Sequence, residues 1–387
     1  MGPRSVSSFV LLDTSGSMDG EKLSNAKAAV TESLNYLGPT DSFTLLTFGG
    51  HVETVLNRVR MDDMGKSTVA AALQKINAND GTPLHGALRA LEAQIDQASA
   101  GEARNTVKKV ILLTDGQPND LDPVKNIRDY RKISGSFRGH GASLAILAIG
   151  EDYNNEFLLA MYQAHEGGHY QYVESPEKLQ SIFADIFRDS KNVILPSARL
   201  EIKKTNGVSL IKVYKLSPQV QELPINQSQG GPEVLQLGDI VAGENQEICI
   251  EAEIPARLEG EYREMAFGVP GLDGVTSSVV VSRTGDINLI QSKFDPIPAA
   301  RFREARDKIL VQNSAHSQAA LTELRRTVQR YTENPALATH LTPGHVQELQ
   351  HVIHQTELRA TGTPEEKAKA ETELRKSESR ATKRWQS

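Results

Sequence analysis

Asp13-Thr14-Ser15-Gly16-Ser17 places one carboxylate and two hydroxyls at alternate positions of a short, glycine-containing segment. Hard divalent cations prefer oxygen donors, so this set suits Mg²⁺ or Mn²⁺, with Ca²⁺ a poorer fit. An ionised Asp supplies charge, while neutral Ser hydroxyls leave a bound ion electrophilic. That chemistry holds a ligand better than it cuts one. Two further segments offer the same donor types. Asp80-Gly81-Thr82-Pro83-Leu84 brings the Thr82 hydroxyl to the opening of a helical pattern, and Leu112-Leu113-Thr114-Asp115-Gly116-Gln117-Pro118 brings the Asp115 carboxylate to the end of an apolar run.

The elements that must position these donors are legible as alternating strands and helices. Phe9–Leu12, Val110–Leu113 and Leu144–Ile149 are near-continuous apolar runs, as expected of strands covered on both faces. Further strands are expected at Phe43–Phe48, His51–Val59 and Tyr170–Val173, with helices at Lys22–Leu37, Pro83–Ala98, Val124–Ile133, Asn155–Tyr162 and Pro176–Arg188. Gly49-Gly50 reads as a tight hairpin that makes His51–Val59 an antiparallel edge strand. This alternation predicts an α/β doubly wound, mostly parallel sheet with ligands outside the carboxyl ends of its strands.

A strand-end Asp-x-Ser-x-Ser, a glycine loop with Thr, and a strand-end Asp-Gly, in this order, resemble the von Willebrand factor type A (VWA) domain with its metal-ion-dependent adhesion site (MIDAS). The resemblance covers roughly residues 6–190. It implies a Rossmann-like fold in which Ser15, Ser17 and Thr82 bind the ion through their hydroxyls. Asp13 and Asp115 would bind it directly or through water, and a carboxylate of a partner protein would fill the remaining position. Charge agrees: two aspartates balance one divalent ion, so an incoming Asp or Glu meets little repulsion and displaces a water.

Beyond the first region the pattern changes. Residues 1–192 are expected to form the VWA domain. Residues 193–286 read as a β-sandwich of short alternating segments punctuated by Gly and Pro, and residues 296–387 as an α-helical region. Thr363-Pro364-Glu365-Glu366 looks like a helix start with a capping-box Glu. The last helix, from Pro364 to Trp385, shows little apolar face beyond Leu374 and Trp385 and is expected to be exposed, frayed or waiting for a partner.

Composition narrows the classes. The 387 residues carry a net charge of −6, with 39% hydrophobic and 24% charged residues, which suits a soluble globular protein and gives no reason to expect nucleic acid. The single cysteine, Cys249, rules out an internal disulfide and reads as a small apolar strand residue. No leader precedes Phe9 and no apolar run approaches the roughly 20 residues that span a bilayer, so a cytoplasmic location is expected. Asn226-Gln227-Ser228 matches a glycosylation sequon by chance on that reading.

Three motifs are decoys. His165-Glu166-Gly167-Gly168-His169 spells H-E-x-x-H, but zincin chemistry needs both histidines on one helical face, where each glycine costs about 1 kcal/mol. The glycines are expected to end a helix and lead into a strand over His169–Val173. Gly65-Lys66-Ser67 resembles the end of a P-loop, yet the first glycine would fall on Arg60, and Asp62 and Asp63 would repel phosphate. Asp13-Thr14-Ser15 lacks the second carboxylate that aspartyl-phosphate chemistry needs. The expected function is therefore a non-enzymatic protein–protein interaction module that captures an acidic residue through a metal ion. An adaptor for an AAA+ ATPase and a metal-dependent hydrolase are the alternatives.

Overall fold

The computed structural model describes residues 4–103, 106–115, 127–150, 155–166, 168–173, 175–225, 231–272, 276–284, 286–288, 293, 295–314 and 317–382, with backbone alone at 155–156 and 378–382. Gly116-Gln117-Pro118, the start of the helix expected over 124–133, Gly167, the 226–228 sequon and Trp385 lie outside them. The described chain divides into two compact units. One holds residues up to Ser197 together with Gly238–Glu244; the other holds Ala198–Leu237 and the residues from Asn245 on. The strand-rich and helical regions that the sequence suggests as separate parts thus share one unit.

In the first unit β1 (Val6–Asp13), β2 (Ser42–Phe48), β3 (Val52–Arg60), β4 (Val107–Thr114), β5 (Ala142–Ile149) and β6 (His169–Val173) form one sheet in the order β3-β2-β1-β4-β5-β6. β1 pairs in parallel with both β2 and β4, and β4-β5 and β5-β6 are parallel too. Only β3 runs antiparallel, joined to β2 through Gly49-Gly50 at the sheet edge. A Cβ on Gly49 would fall 1.8 Å from Asn79 Oδ1, so a larger residue there would force the Asn79 side chain to move.

Among the described residues, six α-helices cover both faces. α1 (Glu21–Ser33), α2 (Asp63–Lys75), α3 (Leu84–Gly101), α4 (Ile127–Gly139), α5 (Asn155–His165) and α6 (Leu179–Lys191) present apolar residues at helical spacing. α1, α2 and α6 pack with Val10, Leu12, Ile111 and Leu113 on one face. α3, α4 and α5 pack with Phe9, Leu11, Val110 and Leu112 on the other. Both faces being covered is why β1 and β5 are buried throughout.

α2 begins where the P-loop decoy lies. Asp62 caps it by accepting from Gly65 N at 2.9 Å, and a Cβ on Gly65 would lie 1.8 Å from the Arg60 carbonyl oxygen. At the far end of the sheet, Asp41 accepts from Val6 N (2.9 Å), Gly38 N (2.7 Å) and Lys191 Nζ (2.8 Å), tying the end of α6 to the start of β1. The unit closes with a returning segment: Val241 joins the core beside Val193, Ala242 N donates to Asn192 O at 2.9 Å, and Ser197 N donates to Asp239 Oδ1 at 3.0 Å.

The remaining strands are β7 (Val193–Lys204), β8 (Ser209–Ser217), β9 (Gln221–Glu222), β10 (Glu233–Val241), β11 (Glu247–Glu253), β12 (Gly260–Gly268) and β13 (Thr276–Arg283). They form a four-stranded sheet, β10-β7-β12-β13, and a three-stranded sheet, β11-β8-β9. Gly238-Asp239 interrupts the apolar alternation of β10, which hides this strand in the sequence. Cys249 is half-buried beside Tyr214 and Phe302, whose rings lie 4.8 Å apart.

Among the described residues the long helices that follow are α7 (Ile297–Ser314), α8 (Gln318–Glu333), α9 (His345–Thr361) and α10 (Pro364–Thr382). Val311, Leu324, Tyr331, Leu349, Val352 and Leu374 make their core. α10 corrects the expectation of a free helix: its first turns are exposed, but Ala370 and Leu374 are buried against the bundle. Its capping box is formed, with Thr363 N donating to Glu366 Oε2 at 2.8 Å and Glu366 N to Thr363 Oγ1 at 3.3 Å. No helix among the described residues is long and apolar enough to cross a membrane.

Candidate metal centre

The strand order reverses direction at β1, where the chain first adds β2 and β3 on one side and later β4 to β6 on the other. In open α/β sheets ligands occupy the crevice outside the carboxyl ends of strands at such a switch point. Asp13 ends β1 and Asp115 follows β4. The register pairs Leu12 with Leu113, which sets Asp13 beside Thr114, and the Thr114 hydroxyl donates to Asp13 Oδ2 at 2.5 Å. Topology thus brings together two carboxylates about a hundred residues apart in sequence.

Hydrogen bonds link four of the five expected residues. Asp13 Oδ1 accepts from Ser15 N at 2.8 Å, which folds the loop back over the strand end. Ser15 Oγ and Ser17 Oγ are 3.1 Å apart, and Ser17 Oγ donates to Asp115 Oδ1 at 2.8 Å. Lys22, from the first turn of α1, donates to Ser17 O at 3.1 Å and to Asp115 Oδ2. Thr82 is buried at the loop that opens α3. That loop is held to the first one by Asn79 N donating to Thr14 O at 2.7 Å. Asp80 Oδ1 sits 3.0 Å from where a Cβ on Gly16 would be, so the two loops meet at a glycine.

Asp13, Thr14, Ser15, Thr82 and Asp115 are all buried. Burial pushes the Asp13 carboxyl up to about 6, against hydrogen bonds from Ser15 and Thr114 that favour its charged form; the Asp115 charge adds to the rise. Two buried carboxylates that repel each other and face hydroxyls form a donor set that a divalent cation relieves. Among the described residues no three His, Cys, Asp or Glu gather to hold a metal, so a cation here depends on the hydroxyls. These residues fit a hard ion such as Mg²⁺ or Mn²⁺ and offer nothing to a soft one.

Sequence reasoning missed Lys22 and Thr114. A threonine one residue before the strand-end Asp carried a usable signal, since a hydroxyl there faces the neighbouring strand end. Lys22 carried none, because a lysine in the first turn of a helix reads as a solvated side chain.

The zinc-like motif does not assemble. His165 ends α5 and His169 begins β6. Glu166, with φ 52°, pairs with Arg138. His169 Nε2 lies 3.2 Å from Gln171 Oε1.

Residues 9–185 match the sequence profile of the von Willebrand factor type A domain. Among solved structures, a von Willebrand factor type A protein from Catenulispora acidiphila covers 99% of this chain and 91% of its own, with TM-score 0.78 and 19% identity. The ArnB paralog VWA2 from Sulfolobus acidocaldarius covers 97% and 90%, with TM-score 0.51 and 18% identity. At such identities the likeness is one of fold. Curated relatives include the uncharacterised protein sll0103 of Synechocystis sp., 25% identical over 256 residues, which are 65% of this chain and 58% of that protein. Mouse inter alpha-trypsin inhibitor heavy chain 4 is 29% identical over 216 residues, 53% of this chain and 22% of that protein. The chain therefore spans about a fifth to three fifths of the length of these relatives.

Proposed function

Residues 9–185 form a von Willebrand factor type A domain, and we propose that this domain captures a partner protein by holding a divalent metal ion that in turn binds an acidic side chain of the partner. The observation that carries this reading is the convergence of Asp13, Ser15, Ser17 and Asp115 at the β1/β4 switch point, with Thr82 on the adjoining loop. The hydroxyls of Ser15, Ser17 and Thr82 would hold the ion as neutral donors, and Asp13 and Asp115 would balance its charge. When bound, the ion supplies an electrophilic position that an Asp or Glu can fill. Thr114 and Ser17 orient the two carboxylates by donating to them, a holding role that leaves the crevice without an assigned general base. Non-enzymatic binding is the function these residues support, with Mg²⁺ or Mn²⁺ as the ion.

Two measurements test it. Calorimetric titration with Mn²⁺ should show binding to the wild-type chain that Asp13→Ala removes. The immobilised chain should then retain partners from source-cell extract in Mg²⁺ and release them in EDTA, with Asp115→Ala retaining none of that set. The same partners in Mg²⁺, in EDTA and with Asp115→Ala would sink the proposal.

A further inference from the structure

Lys22 is a cation drawn into contact with an expected ligand. Its ammonium donates to Ser17 O at 3.1 Å and to Asp115 Oδ2, while Asp115 Oδ1 accepts from Ser17 Oγ at 2.8 Å. Both Asp115 oxygens are thus engaged within the protein. The Asp115 side chain is wholly buried, whereas the Lys22 side chain keeps 32% of its surface exposed, a route by which the ammonium can leave. A second feature shapes its seat. Gly150 follows β5 with φ +86°, and a Cβ there would lie 2.9 Å from Lys22 Nζ and 3.3 Å from Cε. A side chain at residue 150 would be strained by its backbone and would press on the ammonium; glycine leaves the space open.

We propose that Lys22 is a resident cation of this centre that competes with the divalent ion for Asp115, so that the ion enters by displacing the ammonium. This rests on the reading of the crevice as a metal centre given above. With Asp13, Asp115 and Lys22 charged, these three groups sum to −1; without the lysine the two carboxylates alone sum to −2. The lysine therefore keeps two buried carboxylates compatible while no metal is bound, and it lowers metal affinity by the same interaction. A positive charge within about 4 Å of a divalent ion weakens its binding about tenfold or more even with the screening of bulk water. An ammonium that moves away to avoid this loses its pairing with Asp115 instead, so either path weakens the ion.

Lys22→Met keeps the chain length and removes the charge; Lys22→Arg keeps the charge. Titrated with Mn²⁺ alone, Lys22→Met should bind at least about tenfold tighter than wild type, and Lys22→Arg should stay near wild type. A residue that merely braces the loop would move affinity the other way, since loosening the ligands weakens metal. Lys22→Met should also melt lower than wild type in EDTA and gain more from saturating Mn²⁺. On the wild-type chain, acetylation of Lys22 followed by mass spectrometry should quicken when Mn²⁺ is added, because the displaced ammonium becomes accessible; this arm needs no variant to fold.

Equal or weaker Mn²⁺ binding by Lys22→Met, or Lys22 reactivity indifferent to Mn²⁺ in a wild-type chain that binds it, overturns this inference and leaves the metal centre standing. A wild-type chain that takes up no Mn²⁺, indistinguishable from Asp13→Ala, overturns both.

Discussion

His165 makes the stability of the first unit depend on pH in a way that can be worked from its contacts. Its imidazole is fully enclosed: Leu144 N donates to Nε2 at 3.1 Å, so Nδ1 carries the hydrogen and donates to Ser134 O at 3.1 Å. A proton on Nε2 would face the Leu144 N–H. Burial, helped by the charges of Lys109 and Arg138, lowers the imidazole from 6.5 to about 3. The unfolded chain takes up a proton as pH falls through 6.5, and the folded one does not until about 3. The stabilisation is therefore complete above the unfolded value and is lost as pH falls towards the folded one. Between about pH 7 and about pH 5 that difference amounts to about 2 kcal/mol. Urea denaturation of wild type and His165→Gln, followed by circular dichroism at both pH values, measures it. The variant should be less stable at the higher pH, yet its loss on acidification should be smaller by about 2 kcal/mol. Equal losses, or a folded-state imidazole that titrates by NMR near its ordinary value, would refute the reasoning.

Asp41→Ala removes a buried acceptor of the Val6 and Gly38 N–H groups and of Lys191, and should destabilise the first unit by about 3–5 kcal/mol in chemical denaturation. Lys191→Met should cost less, because both N–H groups still hold the carboxylate. Gly65→Ala ought to help a helix by about 1 kcal/mol on propensity alone. The Arg60 carbonyl oxygen, 1.8 Å from the new Cβ, decides otherwise, and the variant should be less stable by about 2 kcal/mol, read from its melting curve.

What the sequence revealed and what it hid follow from the same physics. β1, β4 and β5 stood out because strands covered on both faces become unbroken apolar runs. The five candidate ligands stood out because their types and order repeat a family pattern, although their joint role as a metal centre rests on the proposal above. His165 was separable from zinc chemistry by the sequence after it, and α5 does end at His165 while His169 opens β6. Lys22 was hidden because its partner Asp115 lies 93 residues away, and nothing local to a helix start announces such a pairing. β10 was hidden for a related reason: Gly238-Asp239 spoils its alternation, and Asp239 is there to receive the Ser197 N–H from another part of the chain. Leu374 looked too isolated to dock a helix, and only the assembled bundle shows the core it enters.

The returning segment Gly238–Glu244 makes the first unit discontinuous, and this bears on how it is made and how it can be cut. A ribosome must pass residue 244 before Val241 can seal the core beside Val193, so the family-matched stretch is synthesised well before its unit is complete. A fragment stopped at residue 197 would lose Val241 from the core and orphan the Ser197 amide. A fragment that keeps the whole first unit therefore runs through Glu244, and it carries Ala198–Leu237 with it.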